Sequence, residues 1–368
     1  MLLKKKKWIF NLHLIVAIMV IIPLFIVCIT GAMLSYDKAI ARAINAIITH
    51  NADEISKPDF AAVISKFKSQ NPSLNISSIS YESSNSYYTI YTNQNGKNTG
   101  YLISKDGAII SGDNGTSFVR TIRSLHRWLL FNKFDNIAIG KQIVALSAIG
   151  FIILVLSGIY IYLPALKHNF IKALSISLKA KKLMIAYKTH TALGVIFAII
   201  FLTMSVTGLF WSYSVVQKAF AWAYGVEIQN RPKGGNKSTP QTIENRFDII
   251  ELQTALKAME SNLNSFDTIS ITQNRAKHYT FNIKNANDQS SITINTDNPN
   301  SQIKSNTTQS KSLARKVLDI HSGRVFGFIG EFVFCVVAFI GAVLAVLGFV
   351  LTYNRLRPKI HKKPKIYI

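Results

Sequence analysis

The chain has 368 residues, 49% of them hydrophobic, and a positive mean hydropathy of +0.22, which excludes an ordinary soluble globular protein. The net charge of +24 could suggest nucleic acid, but its distribution speaks for membrane topology instead. Residues 1–12, 164–188 and 354–368 hold sixteen of the 42 Lys and Arg and none of the 18 Asp and Glu, and by the positive-inside rule these segments stay in the cytoplasm.

The first domain, residues 1–36, contains an apolar run over 11–36, longer than the ~20 residues needed to cross the hydrocarbon core. It begins near His13 and closes on Thr30-Gly31 and Ser35-Tyr36. Ala41-Arg42-Ala43 resembles a signal cleavage site, but the run is too long for a signal h-region and reads as an anchor. Residues 37–125 then form an outer unit. An amphipathic helix is predicted over 58–70, with Phe60, Val63, Ile64 and Phe67 on one face, followed by alternating strands at 76–81, 87–92 and 100–103.

Segment 126–163 holds His126, an interfacial stretch and a second span over 137–163 that carries Gly140 and Gly158. A Lys-rich loop, 164–188, leads to the third span at 189–214. From His190, the offsets to Thr207-Gly208 and Ser212-Tyr213 equal those from His13 to Thr30-Gly31 and Ser35-Tyr36. Residues 215–320 give a second outer unit: a connector at 231–240 rich in Pro, Gly, Asn and Ser, a helix over 249–259, and strands near 268–272, 279–283, 291–295 and 302–304. The last span, 326–353 within segment 321–353, follows His321 and carries Gly330 and Gly348, eighteen residues apart as Gly140 and Gly158 are; the tail is 354–368.

The expected fold is therefore an α-helical integral membrane protein with four transmembrane helices in two pseudo-symmetric repeats, two small α+β domains outside, and both termini in the cytoplasm. Cys28 and Cys335 both lie in spans, so no disulfide framework is expected. Four histidines occupy equivalent positions at membrane ends: His13 and His190 at the cytoplasmic face, His126 and His321 at the outer face. Two neutral imidazoles facing across a gap are what six-coordinate haem iron accepts. Gly31, Gly208, Gly140, Gly330, Gly158 and Gly348 would make room for a flat porphyrin or allow close helix approach. Extra residues near 131–136 set His126 out of the helical register of His321. His50, His278, His168 and His361 read as surface. Lys141 and Glu331 occupy equivalent positions with opposite charge and are expected to pair; the alternative is that Lys141, with Arg123, Arg127 or Arg324, partners haem propionates or an anionic ligand.

The stretches Leu125-His126-Arg127, His190 through Leu193-Gly194 to Thr207-Gly208, and Ile320-His321-Ser322-Gly323 followed by Phe326-Gly327 resemble the PepSY-associated transmembrane proteins, a group of iron-regulated inner-membrane proteins. The resemblance covers nearly the whole chain and makes the two outer units PepSY-like periplasmic domains. It implies a role in iron acquisition, since characterised relatives include di-haem ferric-siderophore reductases, and it carries the haem-ligand role onto His13, His126, His190 and His321. The chain departs from the common pattern at Leu347-Gly348, where Thr-Gly is frequent, and at Tyr160 and Tyr162, where tryptophans often stand.

The expected function is an oxidoreductase of the bacterial inner membrane: two haems b receive electrons from an inner-leaflet or cytoplasmic donor and reduce a ferric siderophore or another ferric chelate outside. No nucleic-acid partner is expected, only the lipid bilayer. The alternative is a membrane-anchored PepSY-type binding or regulatory protein without redox activity. Transport is disfavoured because the apolar runs predict neither broken helices nor a polar midplane.

Overall fold

The computed structural model describes residues 2–55, 58–94, 97–131, 138–177, 179–226, 247–260, 266–285, 289–306 and 312–357. In chain order the elements are α1 Leu2–Ser35, α2 Asp37–Ile48, α3 Phe60–Gln70, β1 Ile76–Glu82, β2 Tyr88–Gln94, β3 Lys97–Ile103, β4 Ile109–Gly112 and α4 Asn114–Trp128. There follow α5 Ile139–His168, α6 Phe170–Leu174, α7 Lys182–Ile196, α8 Ala198–Leu209, α9 Ser214–Ala223 and α10 Ile249–Met259. The chain continues through β5 Thr268–Arg275, β6 His278–Lys284, β7 Gln289–Asn295 and β8 Asn298–Asn306 to α11 Leu313–His321, a 3-10 turn Arg324–Phe326 and α12 Gly327–Leu356. These elements divide into two compact units, one of Met1–Asp37, Arg120–Ile228 and Leu313–Ile368, the other of Lys38–Val119 and Gln229–Ser312.

The first unit is helical. Lys7–Ser35 of α1, Ile139–His168 (α5) and Arg324–Leu356 (the 3-10 turn with α12) are each long and apolar enough to cross a membrane. The third expected span differs from its prediction: it is broken at Phe197 into α7 and α8, which meet at 65°. The residues before the break, Gly194-Val195-Ile196, combine a glycine with two β-branched side chains, all weak helix formers. Irregular backbone at membrane depth survives only where protein packs around it or where it borders a cavity. Here Ala198 and Phe201 are buried, and Gly194 and Val195 line a cavity. With this span broken, unbroken helices no longer speak against a transporter.

α1 packs against α5 and α12. Small residues allow the close approaches: a Cβ at Gly150 would lie 2.8 Å from Val20 Cγ1, and one at Gly341 would lie 2.9 Å from Cys28 Sγ. Gly140 and Gly330 serve the backbone rather than a cofactor. A Cβ at Gly140 would collide with the Trp128 carbonyl oxygen at 1.8 Å, and one at Gly330 with the Gly323 carbonyl oxygen at 2.4 Å. Gly323 also has φ 75°, a left-handed conformation that suits glycine and turns the chain from α11 back into α12.

The second unit is a single eight-stranded antiparallel sheet of order β4-β3-β2-β1-β5-β6-β7-β8. The two expected helix-and-strand units both form, each with four strands, and they join edge to edge through β1 and β5, where Ser80 lies opposite Ser270. That pairing removes two open sheet edges, each of which would otherwise expose a row of unpaired backbone groups. On one face, Ile79, Ile90, Ile271, Phe281 and Ile292 form a core with α3 and α10. Burial alternates along β6, with Tyr279, Phe281 and Ile283 inward, as a strand with one covered face requires. Asp59 caps α3 by accepting the Ala62 N–H, and Asp248 caps α10 by accepting those of Ile250 and Glu251.

Candidate functional site

Each of the four membrane-end histidines lies against one particular glycine. A Cβ built at Gly158 would sit 3.4 Å from His13 Cε1, at Gly31 3.1 Å from His126 Cε1, at Gly348 3.4 Å from His190 Cε1, and at Gly208 3.5 Å from His321 Cε1. The contacts are reciprocal. α1 lends His13 to Gly158 of α5 and receives His126 of α4 on Gly31; α7 lends His190 to Gly348 of α12, and α8 receives His321 of α11 on Gly208. Along α1, the eighteen residues from His13 to Gly31 span ~27 Å at 1.5 Å per residue, close to the thickness of a hydrocarbon core.

A hydroxyl next to the glycine orients the ring in three of the four cases. Ser157 Oγ lies 2.9 Å from His13 Nδ1, Thr30 Oγ1 3.1 Å from His126 Nδ1, and Thr207 Oγ1 2.9 Å from His321 Nδ1. Each hydroxyl donates its own proton down the helix at 2.6 Å: Ser157 to the Ile153 carbonyl, Thr30 to that of Ile26, and Thr207 to that of Thr203. Having spent its proton, the oxygen can only accept from the imidazole. Nδ1 therefore carries the hydrogen, and Nε2 is left as the bare lone pair. The carbonyl four residues before the glycine, one turn away on the same face, reinforces this, with Val27 O 3.0 Å from His126 Nδ1. Ligating histidines are commonly prepared in this way, with the second nitrogen tied to a carbonyl or hydroxyl that sets the tautomer.

The rings then pair across the two halves of the helical unit. The His126 and His321 centroids are 6.4 Å apart, with ring planes at 65°. Such a pair of imidazoles, each with a bare Nε2, is a donor set that would hold a metal ion between them. His13 and His190 line one cavity of ≈ 360 Å³ together with Gly158, Gly194 and Gly348. At Gly194 a Cβ would meet no atom within 4 Å, so this glycine borders open space that a larger residue would fill. The remaining lining is largely aliphatic and aromatic, with Tyr187, Thr191 and Arg355 among the polar exceptions. A flat apolar group with a metal at its centre fits such a cavity, and the donor set suits haem.

His126 and His321 reach similar positions despite their unequal spacing to the spans. Each lies in the last turn of a separate helix, α4 or α11, rather than on the span that follows. Part of the extra stretch at 131–136 lies outside the described residues. Leu129 and Leu130, just after α4, adopt left-handed φ of 50° and 61°, a strained reversal of the kind that persists where its surroundings hold it. His50 and His168 are exposed, His278 is half-buried with Nδ1 near the Ala276 carbonyl, and His361 lies outside the described residues.

The expected Lys141–Glu331 ion pair does not form. Glu331 pairs instead with Arg324 at 3.0 Å, across the turn at Gly327 where the 3-10 segment enters α12. Arg123 is held by Asp37 at 2.8 Å, and Arg127 lies over the Trp128 ring.

Sequence reading missed the ring-orienting role of Ser157, Thr30 and Thr207. Their signal was present as a hydroxyl residue directly before three of the four glycines. It also missed Trp211, whose ring centroid lies 5.7 Å from that of His321, and Phe201, which lines the cavity and packs against Phe151.

Three helices long and apolar enough to span, a fourth broken pair and a separate eight-stranded sheet unit fit a multi-pass membrane protein. The chain belongs to the PepSY-associated TM region family, which matches residues 10–355. No curated protein matches it in a sequence comparison.

Proposed function

We propose that this protein is a haem-b electron conduit of a bacterial inner membrane that reduces a ferric chelate, such as a ferric siderophore, on the side opposite its Lys-rich segments. The observation that carries the reading is the seating of four imidazoles over four glycines, three of them with Nδ1 against a helix hydroxyl, in two pairs at opposite ends of the bundle. His13 and His190 would hold one haem, and His126 and His321 the other. Bound haem supplies one-electron chemistry.

The chain's own residues do the rest. The glycines admit the rings, Ser157, Thr30 and Thr207 fix the tautomer, and largely apolar side chains line the His13–His190 cavity. By the positive-inside rule the Lys-rich segments favour a cytoplasmic side for both termini, and in this reading the electron donor acts from that side. Reduction favours release of the metal, because Fe(II) holds the hard oxygen ligands of many siderophores less firmly than Fe(III) does.

The test is a reduced-minus-oxidised visible spectrum of the detergent-purified protein with haem quantified per chain. Two bis-histidine haems b are expected. Substitution of His13 or His190 by Ala should remove one, and substitution of His126 or His321 the other. Protein without haem, after expression with ample haem supply, would overturn the conduit and leave an anchored binding or regulatory protein.

A further inference from the structure

One of the four imidazoles lacks the arrangement that the other three share. The residue before Gly348 is Leu347, where Ser157, Thr30 and Thr207 supply hydroxyls elsewhere. The His190 ring is still seated, with Cε1 3.4 Å from the Cβ position of Gly348. Its Nδ1, however, is buried without a hydrogen-bond partner: Leu344 provides the neighbouring carbonyl, but it does not reach hydrogen-bond geometry. Leu347 itself packs among Val155, Phe201, Val337 and Leu344, so the place of the hydroxyl is taken by hydrocarbon.

We infer that Leu347 makes the two metal sites unequal, by withholding from His190 the hydroxyl that holds the other three rings and so raising the reduction potential of the haem bound by His13 and His190. The inference rests on the proposed function. A hydrogen bond accepted from Nδ1–H pushes electron density toward Nε2, makes the imidazole a stronger donor and favours the ferric state. Without it the ligand is weaker, and the ferrous state gains. The His126–His321 site has a hydroxyl on both rings and the His13–His190 site on one only. Leu347 is thus a positioning residue that biases the site beside the Lys-rich segments toward accepting an electron.

The experiment is a redox titration of full-length purified protein, followed in the visible region, for wild type, Leu347→Thr, Leu347→Val and Ser157→Ala. Thr and Val share a shape and differ in the hydroxyl. Leu347→Thr is expected to lower one of two midpoint potentials and leave the other in place, while Leu347→Val leaves both. Ser157→Ala, which removes the matching hydroxyl from His13, should raise the same potential that Leu347→Thr lowers. The inference is overturned if Leu347→Thr retains both haems with unchanged potentials, or if Leu347→Val shifts the potential as far as Thr does. Should Leu347→Thr fail to load haem, Ser157→Ala decides: a raised potential supports the inference and an unchanged one overturns it. Wild-type protein without haem would overturn the proposed function together with this inference, whereas two haems with unmoved potentials overturn the inference alone.

Discussion

In the sheet unit, residues 76–112 and 268–306 meet through β1 and β5, where main-chain groups pair with main-chain groups and only the inward-facing pattern must match. In the helical unit, early and late chain segments meet at His13 with His190 and at His126 with His321, where the identity of single side chains decides what can be held. The contrast separates two kinds of dependence on sequence. A backbone ladder tolerates many residues at each position provided the alternation holds. A ligand pair tolerates few, because the ring, the glycine beneath it and the hydroxyl beside it must all be present.

The largest stability effect should therefore fall on the sheet core and leave the histidine pairs untouched. Phe281 is fully buried among α3, α10 and the central strands, and Phe281→Ala should cost ~3–5 kcal/mol of the sheet unit's unfolding free energy. Hydrogen exchange across the strands would measure it. If haem content fell in parallel, the two units would not be energetically separate, and the comparison would break.

A smaller effect is expected from the polar knot that ties α2 to β2 and the start of α4. Asn45 donates to Asp113 Oδ1 at 2.8 Å and accepts the Gly115 N–H at 2.8 Å, while the Tyr91 hydroxyl donates to Asp113 Oδ2 at 3.0 Å. Asn45→Ala would leave buried groups unpaired and should cost about 2 kcal/mol, read by urea unfolding. Burial pushes the Asp113 carboxyl upward, but hydrogen bonds from Asn45, Thr116 and Tyr91 outweigh it and hold the group below the usual carboxylate range. The resulting stability is complete above the unfolded value of ~3.9 and is lost as the pH falls through the lower folded value. Acid titration of the sheet unit should show a loss in that window for wild type and a flatter profile for Asp113→Asn.

The smallest effect sharpens the contrast within the helical unit. A Cβ at Gly31 would press His126 at 3.1 Å, whereas one at Gly208 would meet His321 at an ordinary 3.5 Å. Gly31→Ala should shift the spectrum of the His126–His321 haem, and Gly208→Ala should leave it close to wild type. Equal shifts would mean that the four ring seats are alike in tolerance.

Much of this architecture was legible in the chain. The helix at 249–259 appears at its expected bounds, and each of the seven expected alternating segments forms a strand, although β4 at 109–112 was not anticipated. The broken third span was not legible. Its cause is distributed over Gly194, two β-branched neighbours and a cavity wall, and a hydropathy run is blind to all three. Glycines with equal spacing proved unequal: Gly140 and Gly330 accommodate backbone, whereas Gly31, Gly158, Gly208 and Gly348 accommodate imidazole. Spacing alone does not record what lies opposite.

By itself the sequence determined which segments are apolar enough to span, where strands alternate, and that four histidines recur at fixed offsets from small residues. Those properties are local, set by hydropathy and by the 2-residue and 3.6-residue periods of strand and helix. Only the tertiary structure decided that β1 finds β5, that Glu331 takes Arg324 rather than Lys141, and that each imidazole rests on one glycine with three of the four Nδ1 atoms against a hydroxyl. These are choices among partners distant in the chain, and they are settled by which close approaches the packed helices and paired strand edges allow.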